Sequence, residues 1–212
     1  MTLTEFQFLG IPHITAMILT IILPVALAAV VRKADSPKVT RTLCYLLGAT
    51  LLANEVGHWG YRLATVPDFN DILRKYLSLH TCGLAVFATT LALLFRHQIL
   101  YETAYFWGLV GTVNGLLYPD IVWRFPSYGF IGYFTSHGGV LWVALYATWG
   151  LGMRPTWRSV GRAFLLLNAT ALVLGLVNLA IGGDANYAFV CAAPDVDHPL
   201  IQGDWPWYML VL

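Results

Sequence analysis

The stretch Ala163–Ile181 reads AFLLLNATALVLGLVNLAI. It carries no charge and does not alternate between apolar and polar residues. A helix that spans a bilayer needs about 20 mostly apolar residues. The other spanning architecture, a closed β-barrel, shows alternation in segments of ~10 residues, so this stretch predicts a membrane helix. Moving outward, five further apolar runs of similar length stand at 11–31, 42–64, 77–95, 102–119 and 131–150, with the sixth at 161–181. The tail WPWYMLVL at 205–212 reads as the opening turns of a seventh helix and is too short to cross. The expected fold is all-α: a polytopic transmembrane helical bundle of six spans plus a partial or truncated seventh. Residues 1–212 are expected to form a single transmembrane domain.

Composition agrees. Of the 212 residues, 58% are hydrophobic and only 11% charged, against roughly 25% charged in a soluble domain. That excludes a soluble globular enzyme, a nucleic-acid binder and a disordered chain. Lys and Arg in short loops set orientation. The first loop holds Arg32, Lys33, Lys38 and Arg41, the third Arg96, and the fifth Arg154, Arg158 and Arg162. The opposite side holds Arg62, Arg74, Lys75 and Arg124. The long sixth loop, about 182–204, has no Lys or Arg. The chain is therefore expected to be a multi-pass protein of the cell membrane with its N-terminus outside. The N-terminal tail lacks the positive region of a cleavable signal peptide.

Polar groups inside a membrane are costly and mark functional sites. With this topology, five helices bring them to one outer level. Glu55 and His58 lie in the outer half of the second helix. His80, Thr81 and Cys82 open the third. Asn114, Tyr118 and Asp120 close the fourth, with Asn114 and Tyr118 four apart on one face. Tyr133, Ser136 and His137 start the fifth. Asn178 ends the sixth, and Asn186 and Tyr187 follow in the loop. The inner halves carry less, chiefly Asn168 and Cys44. The expected site is one outer cavity lined by Glu55, His58, His80, Asn114, Tyr118, Asp120 and Asn178 as substrate-binding groups. Asn186 and Tyr187 are expected on a loop that folds back over it, hinged at Gly182 and Gly183.

Simpler roles compete. Glu55 with His58 would serve as a structural tie between helices, and Asn178 as interhelical glue. His97 is interfacial and His198 solvated. Trp59, Trp123, Trp149 and Trp157 fit an aromatic belt. Cys44 is a small apolar filler. Cys82 and Cys191 share the outer side, so a disulfide between them is an alternative to a free thiol. His80 and Cys82 are two apart, about 200° around a helix, and cannot face one centre if that turn is helical. Either His80 lies in a non-helical lead-in, or a histidine from another helix serves Cys82, with His137 the candidate.

An ordered set of motifs adds to this: LSLHTCG at 77–83, YETAYFWGLVG at 101–111, LLYP at 116–119, FTSHGG at 134–139, NY at 186–187 and WPWY at 205–208. In this order they resemble the YwaF-like family of small integral membrane proteins. The family usually has Pro where this chain has Ser78, and a complete last helix. A eukaryotic relative is described as an acyltransferase of ether phospholipids with a Cys acyl carrier and a His. More distant relatives are Thr/His membrane hydrolases of fatty-acid esters. The resemblance implies a catalytic Cys82 and His137.

The implied activity is lipid acyl transfer or acyl-ester hydrolysis, with Cys82 as nucleophile and His137 as base. Glu55, His58 or Asp120 would orient the base, Asn114, Asn178 or Tyr118 would donate to an oxyanion, and Arg62 and Arg124 would hold a lipid phosphate. The expected partner is a membrane lipid, either a phospholipid or a fatty-acyl ester, with no nucleic acid, no cofactor and no metal. The rivals are a transporter or substrate-capturing membrane subunit that uses the same cavity without chemistry, and a haem or metal site of His58, His80 and His137.

Overall fold

A computed structural model describes residues 6–194 and 203–210; His198 lies outside them. The described chain is helical, without a strand. Six long helices stand on the six apolar runs: α1 (Ile11–Ala34), α2 (Pro37–Thr65), α3 (Thr81–Phe95), α4, α5 (Tyr128–Trp149) and α6 (Trp157–Ile181). The fourth is made of Gln98–Trp107, a π-turn at Gly108–Thr112 and a last turn at Val113–Leu117. Prolines pre-set for a first helical turn begin α1 and α2. The α1–α2 connection is only Asp35 and Ser36, with Asp35 in the left-handed conformation at φ 41°. Trp207–Leu210 forms a short 3-10 turn.

Neighbouring helices run antiparallel, as contacts at both ends require. At one end His13 of α1 meets the carbonyl of Leu116, Tyr128 of α5 meets Asn54 of α2, and Trp59 meets Ser78. At the other end Tyr101 of α4 meets Thr148 of α5, and Glu102 meets Ser159 and Arg162 of α6. We call these the Cys82 end and the Glu102 end.

Helix α5 is the centre of the bundle. Its buried residues include Gly132, Gly138, Gly139, Ala144 and Ala147, small side chains that let other helices come close. The main apolar core joins Val31, Cys44, Leu51, Val86, Leu93, Trp107, Val143 and Tyr146 from five helices. The outer surface is apolar as well. On α6, Phe164, Leu165, Leu172, Leu176 and Leu179 are exposed, and on α1 Ile18, Ile21 and Val25. A soluble monomer does not leave faces of this kind bare. Helices α1 and α6 are long and apolar enough to cross a membrane by themselves, and the Phe69–Tyr76 segment with α3 would form a third span, bent by 74°.

Several helix boundaries differ from the sequence reading. The third run begins at 77, but Leu77 is extended and α3 starts only at Thr81, with His80 as its extended cap. The fourth run extends to 119, but α4 ends at Leu117 and Tyr118 leaves helical geometry at φ −127°, ψ 69°. Pro119 follows it and disfavours a helical conformation there. Asn114 and Tyr118 therefore do not share a continuous helical face.

Candidate active site at the Cys82 end

Helix α4 positions the centre of the site. Its π-turn places Gly111 on the side facing α3, and one turn later Gly115 faces α5. A Cβ on Gly111 would stand 3.7 Å from the Cys82 sulfur. A Cβ on Gly115 would stand 2.7 Å from His137 Cδ2, 3.1 Å from its Nε2 and 3.1 Å from the Tyr133 hydroxyl. Gly111 and Gly115 are four residues apart, so the thiol and the imidazole lie against successive turns of α4. π-turns recur at functional sites, and here one lies directly beside the thiol.

The His137 tautomer follows from its partners. Nδ1 is 3.0 Å from the Tyr133 carbonyl, which only accepts, so Nδ1 carries the proton. In the neutral ring the Nε2 lone pair is then free, and Nε2 has no hydrogen-bond partner among the described residues. The Tyr133 ring stacks on the imidazole with centroids 4.1 Å apart. Its hydroxyl donates to the Gly115 carbonyl at 2.8 Å, which fixes α4 to α5 beside the imidazole. Cys82 is a free, half-buried thiol, and Cys191 is free and exposed, so the alternative disulfide is not formed. No hydrogen bond joins Cys82 to His137 among the described residues.

His58 flanks this centre. A Cβ on Gly132 would lie 2.7 Å from its Nε2, and the ring is within electrostatic reach of His137. Beside it, Asn54 donates to Ser136 Oγ at 2.8 Å and to the Gly132 carbonyl at 3.1 Å. Glu55, one residue further on α2, turns the other way and accepts from Ser78, which also takes the Trp59 N–H at 3.0 Å. Glu55 and His58 therefore reach two different neighbours and make no pair with each other.

The remaining expected residues are engaged elsewhere. Asn114 donates back to the Val110 carbonyl of its own helix at 2.9 Å. Tyr118 is exposed and stacks on Phe8. Asp120 is exposed near Tyr133. Arg62 lies 4.2 Å from the Tyr76 ring centre and 5.3 Å from that of Trp123, held by aromatic faces. His58, His80 and His137 do not come together, and no three His, Cys, Asp or Glu side chains form a metal-binding group among the described residues.

The sixth loop folds back on the helices over its described part, 182–194. Gly182 and Gly183 both take positive φ, at 72° and 65°, and Gly183 passes close over Arg74. Asn178, buried at the end of α6, accepts from the Tyr187 N–H at 2.8 Å and donates to the Tyr187 carbonyl at 3.1 Å. The Tyr187 hydroxyl donates to the Leu73 carbonyl and accepts from the Leu77 N–H. Asn186 closes the following turn by accepting from Cys191 and Ala192. His80 packs its ring on Tyr187 and Phe189. Asn178, Asn186 and Tyr187 thus use their side chains to hold the loop. In the loop, Asp184 pairs with Lys75 at 2.8 Å, and this hydrogen bond holds its carboxyl below the usual range.

Two residues with no part in the sequence reading matter here. Asn54 ties α2 to α5. His13, 1% exposed, accepts the Leu9 N–H at Nδ1 and donates from Nε2 to the Leu116 carbonyl at 2.8 Å. It closes the end of α4 that carries Gly115. The only signal for it was a histidine within an apolar run.

Two tests follow. Gly115→Ala is expected to displace the His137 ring, because the new methyl overlaps it. Gly111→Ala adds only an ordinary contact to Cys82. Thermal unfolding in detergent should separate them, with Gly115→Ala losing roughly 1–3 kcal/mol and Gly111→Ala much less; equal losses would remove the packing argument. Asn178→Ala should free Tyr187 and cost the loop about 1–3 kcal/mol of local stability. Hydrogen exchange at 184–194 should rise, and unchanged protection would show that the loop is held by other contacts.

No curated protein and no solved structure matches the chain. The family model that matches covers residues 8–212, nearly the whole sequence, and with apolar helices of membrane-crossing length it supports a membrane protein. The chain belongs to the TMEM164 family.

Proposed function

We infer that the protein is an integral membrane enzyme of lipid acyl transfer or acyl-ester hydrolysis, with Cys82 as nucleophile and His137 as base. The observation that carries this reading is the His137 tautomer: an unpartnered Nε2 beside Gly115, one turn along α4 from the Gly111 that meets the Cys82 sulfur. The resemblance of the ordered motifs to the YwaF-like family supports the same pair. In this reading all six helices cross the cell membrane, the N-terminus lies outside, and the Cys82 end faces outward. The substrate is a membrane phospholipid or other fatty-acyl ester.

The reaction runs in two halves. His137 Nε2 takes the Cys82 proton as the sulfur attacks the ester carbonyl carbon. The C–O bond to the alcohol breaks, the alcohol leaves with the proton from His137, and a thioester on Cys82 remains. A second lipid hydroxyl, or water, then gives its proton to His137 and attacks the thioester. The C–S bond breaks and the sulfur regains the proton. Tyr133 stacks on the imidazole and holds it in place. The loop clamped by Asn178 and Tyr187 covers the lead-in to α3 and limits water there.

The test is mass spectrometry of the purified protein incubated with a phospholipid bearing a defined acyl chain. A hydroxylamine-sensitive adduct of that acyl mass on Cys82 is expected. No adduct and no acyl product, with the lipid bound intact, would favour the substrate-capturing reading.

A further inference from the structure

The Glu102 end holds a cavity unrelated to the chemistry above. It has a volume of about 350 Å³ and lies between the start of α2 and the end of α3. Arg41 and Arg96 line it together with Cys44, Tyr45, Leu93 and Leu94. Two arginines thus line one hollow, and neither has a carboxylate partner among the described residues. Elsewhere at this end an arginine has found one: Arg162 binds Glu102 at 2.6 Å. Arg96 is also held in an unusual backbone state. It caps α3 at φ 49°, ψ 35°, a left-handed position where Gly or Asn is the ordinary choice. Its charge lies against the Cys44 thiol at the inner wall.

The rest of the lining is apolar, and its outer edge is open. Tyr45 is 56% exposed and Leu94 38%, on a bundle whose outer faces are themselves apolar. A ligand that matches these walls has an anionic head and a hydrocarbon body. Paired guanidiniums suit phosphate oxygens, which accept bidentate, charge-assisted hydrogen bonds. The volume falls in the range of small-ligand pockets, about 300–1,000 Å³, and exceeds what a bare anion with a few waters at about 30 Å³ each would fill. Basic pockets between membrane helices bind lipid headgroups.

We propose that this cavity binds the phosphate of an anionic phospholipid between Arg41 and Arg96, with the acyl chains running out over Leu94 and Tyr45. The site is separate from Cys82, at the opposite end of the bundle, and does not depend on the acyl-transfer reading. Its occupant bridges the start of α2 and the end of α3 and ties these helices together.

The experiment measures binding and thermal unfolding of the full chain in neutral detergent, titrated with phosphatidylglycerol, phosphatidylcholine or inorganic phosphate. Phosphatidylglycerol is expected to bind and raise the unfolding temperature, and the other two to do little. Arg41→Gln and Arg96→Gln should each weaken phosphatidylglycerol by about tenfold or more. Arg158→Gln, which removes a charge of the same end but lies outside the cavity, should leave it unchanged. If Arg96→Gln does not fold, Arg41→Gln carries the test, because Arg41 is exposed on regular helix. Equal binding of phosphatidylcholine, or binding that survives both substitutions, overturns the proposal. Inorganic phosphate that binds as well as the lipid and is lost in the same variants overturns the lipid in favour of a free anion.

Discussion

Replacing His137 with alanine is expected to lower acyl transfer by roughly 10²–10⁴-fold, the usual worth of a positioned general base. Cys82→Ser should reduce it further, to background. A thiol set among apolar groups stays protonated unless a base takes its proton as it attacks. The acceptor available is Nε2 of a ring whose other nitrogen is committed to the Tyr133 carbonyl. His137→Gln makes the argument sharper: it offers polar atoms of similar reach but no titratable base, so it should fail like alanine. Cys44→Ala removes a thiol buried at the other end and should leave transfer intact. All four variants must first elute as folded protein. Activity that survives Cys82→Ser would end the thiol mechanism. Loss in Cys82→Ser without loss in His137→Ala would leave the nucleophile in place and assign the base elsewhere, with His58 the next ring in reach of the site.

The largest effect on stability is expected at the Glu102 end. Glu102 is 1% exposed, and its Oε1 accepts from Arg162 at 2.6 Å, Ser159 at 2.7 Å and Gln98 at 2.8 Å. Its Oε2 is buried without a partner. Arg162→Ala leaves a carboxylate in the interior without its counter-charge. Breaking a buried pair in this way costs about 3–5 kcal/mol. The lower end is expected here, since the Arg162 side chain is 45% exposed and water reaches part of the pair. Arg162→Lys keeps the charge but loses the fork and should fall between. Glu102→Gln removes the charge and keeps an acceptor, so it should cost less than Arg162→Ala. Unfolding midpoints in detergent read all three. A loss below about 1 kcal/mol in Arg162→Ala would mean that this ion pair does little to hold α6 against α4.

The helices were legible in the sequence because an apolar run long enough to cross a bilayer has few other uses. Every run met a helix, and the errors are at the ends, where neighbours decide. Phe69–Tyr76 bends away from α3 by 74°, and the lead-in through His80 is extended. Of the options left open for His80, the structure shows the non-helical lead-in, with its ring packed on Tyr187 and Phe189. Glu102 sat in a quoted motif, and Arg162 was counted only as a loop charge. Sixty residues separate them, and no local pattern pairs residues at that distance.

The sequence by itself determined an all-helical membrane chain, because hydration cost acts on each segment independently of the others. The resemblance of its motifs to a known family is what implied Cys82 and His137. Only the tertiary structure decided which polar groups remain free. Asn178, Asn186 and Tyr187 resemble substrate-binding residues in the sequence, yet they are consumed by the loop they anchor. Asn54, Tyr133 and His13, outside the expected site, fix the helices around it. A hydrogen bond needs its partner within about 3 Å, and that depends on how the helices pack as well as on their order along the chain.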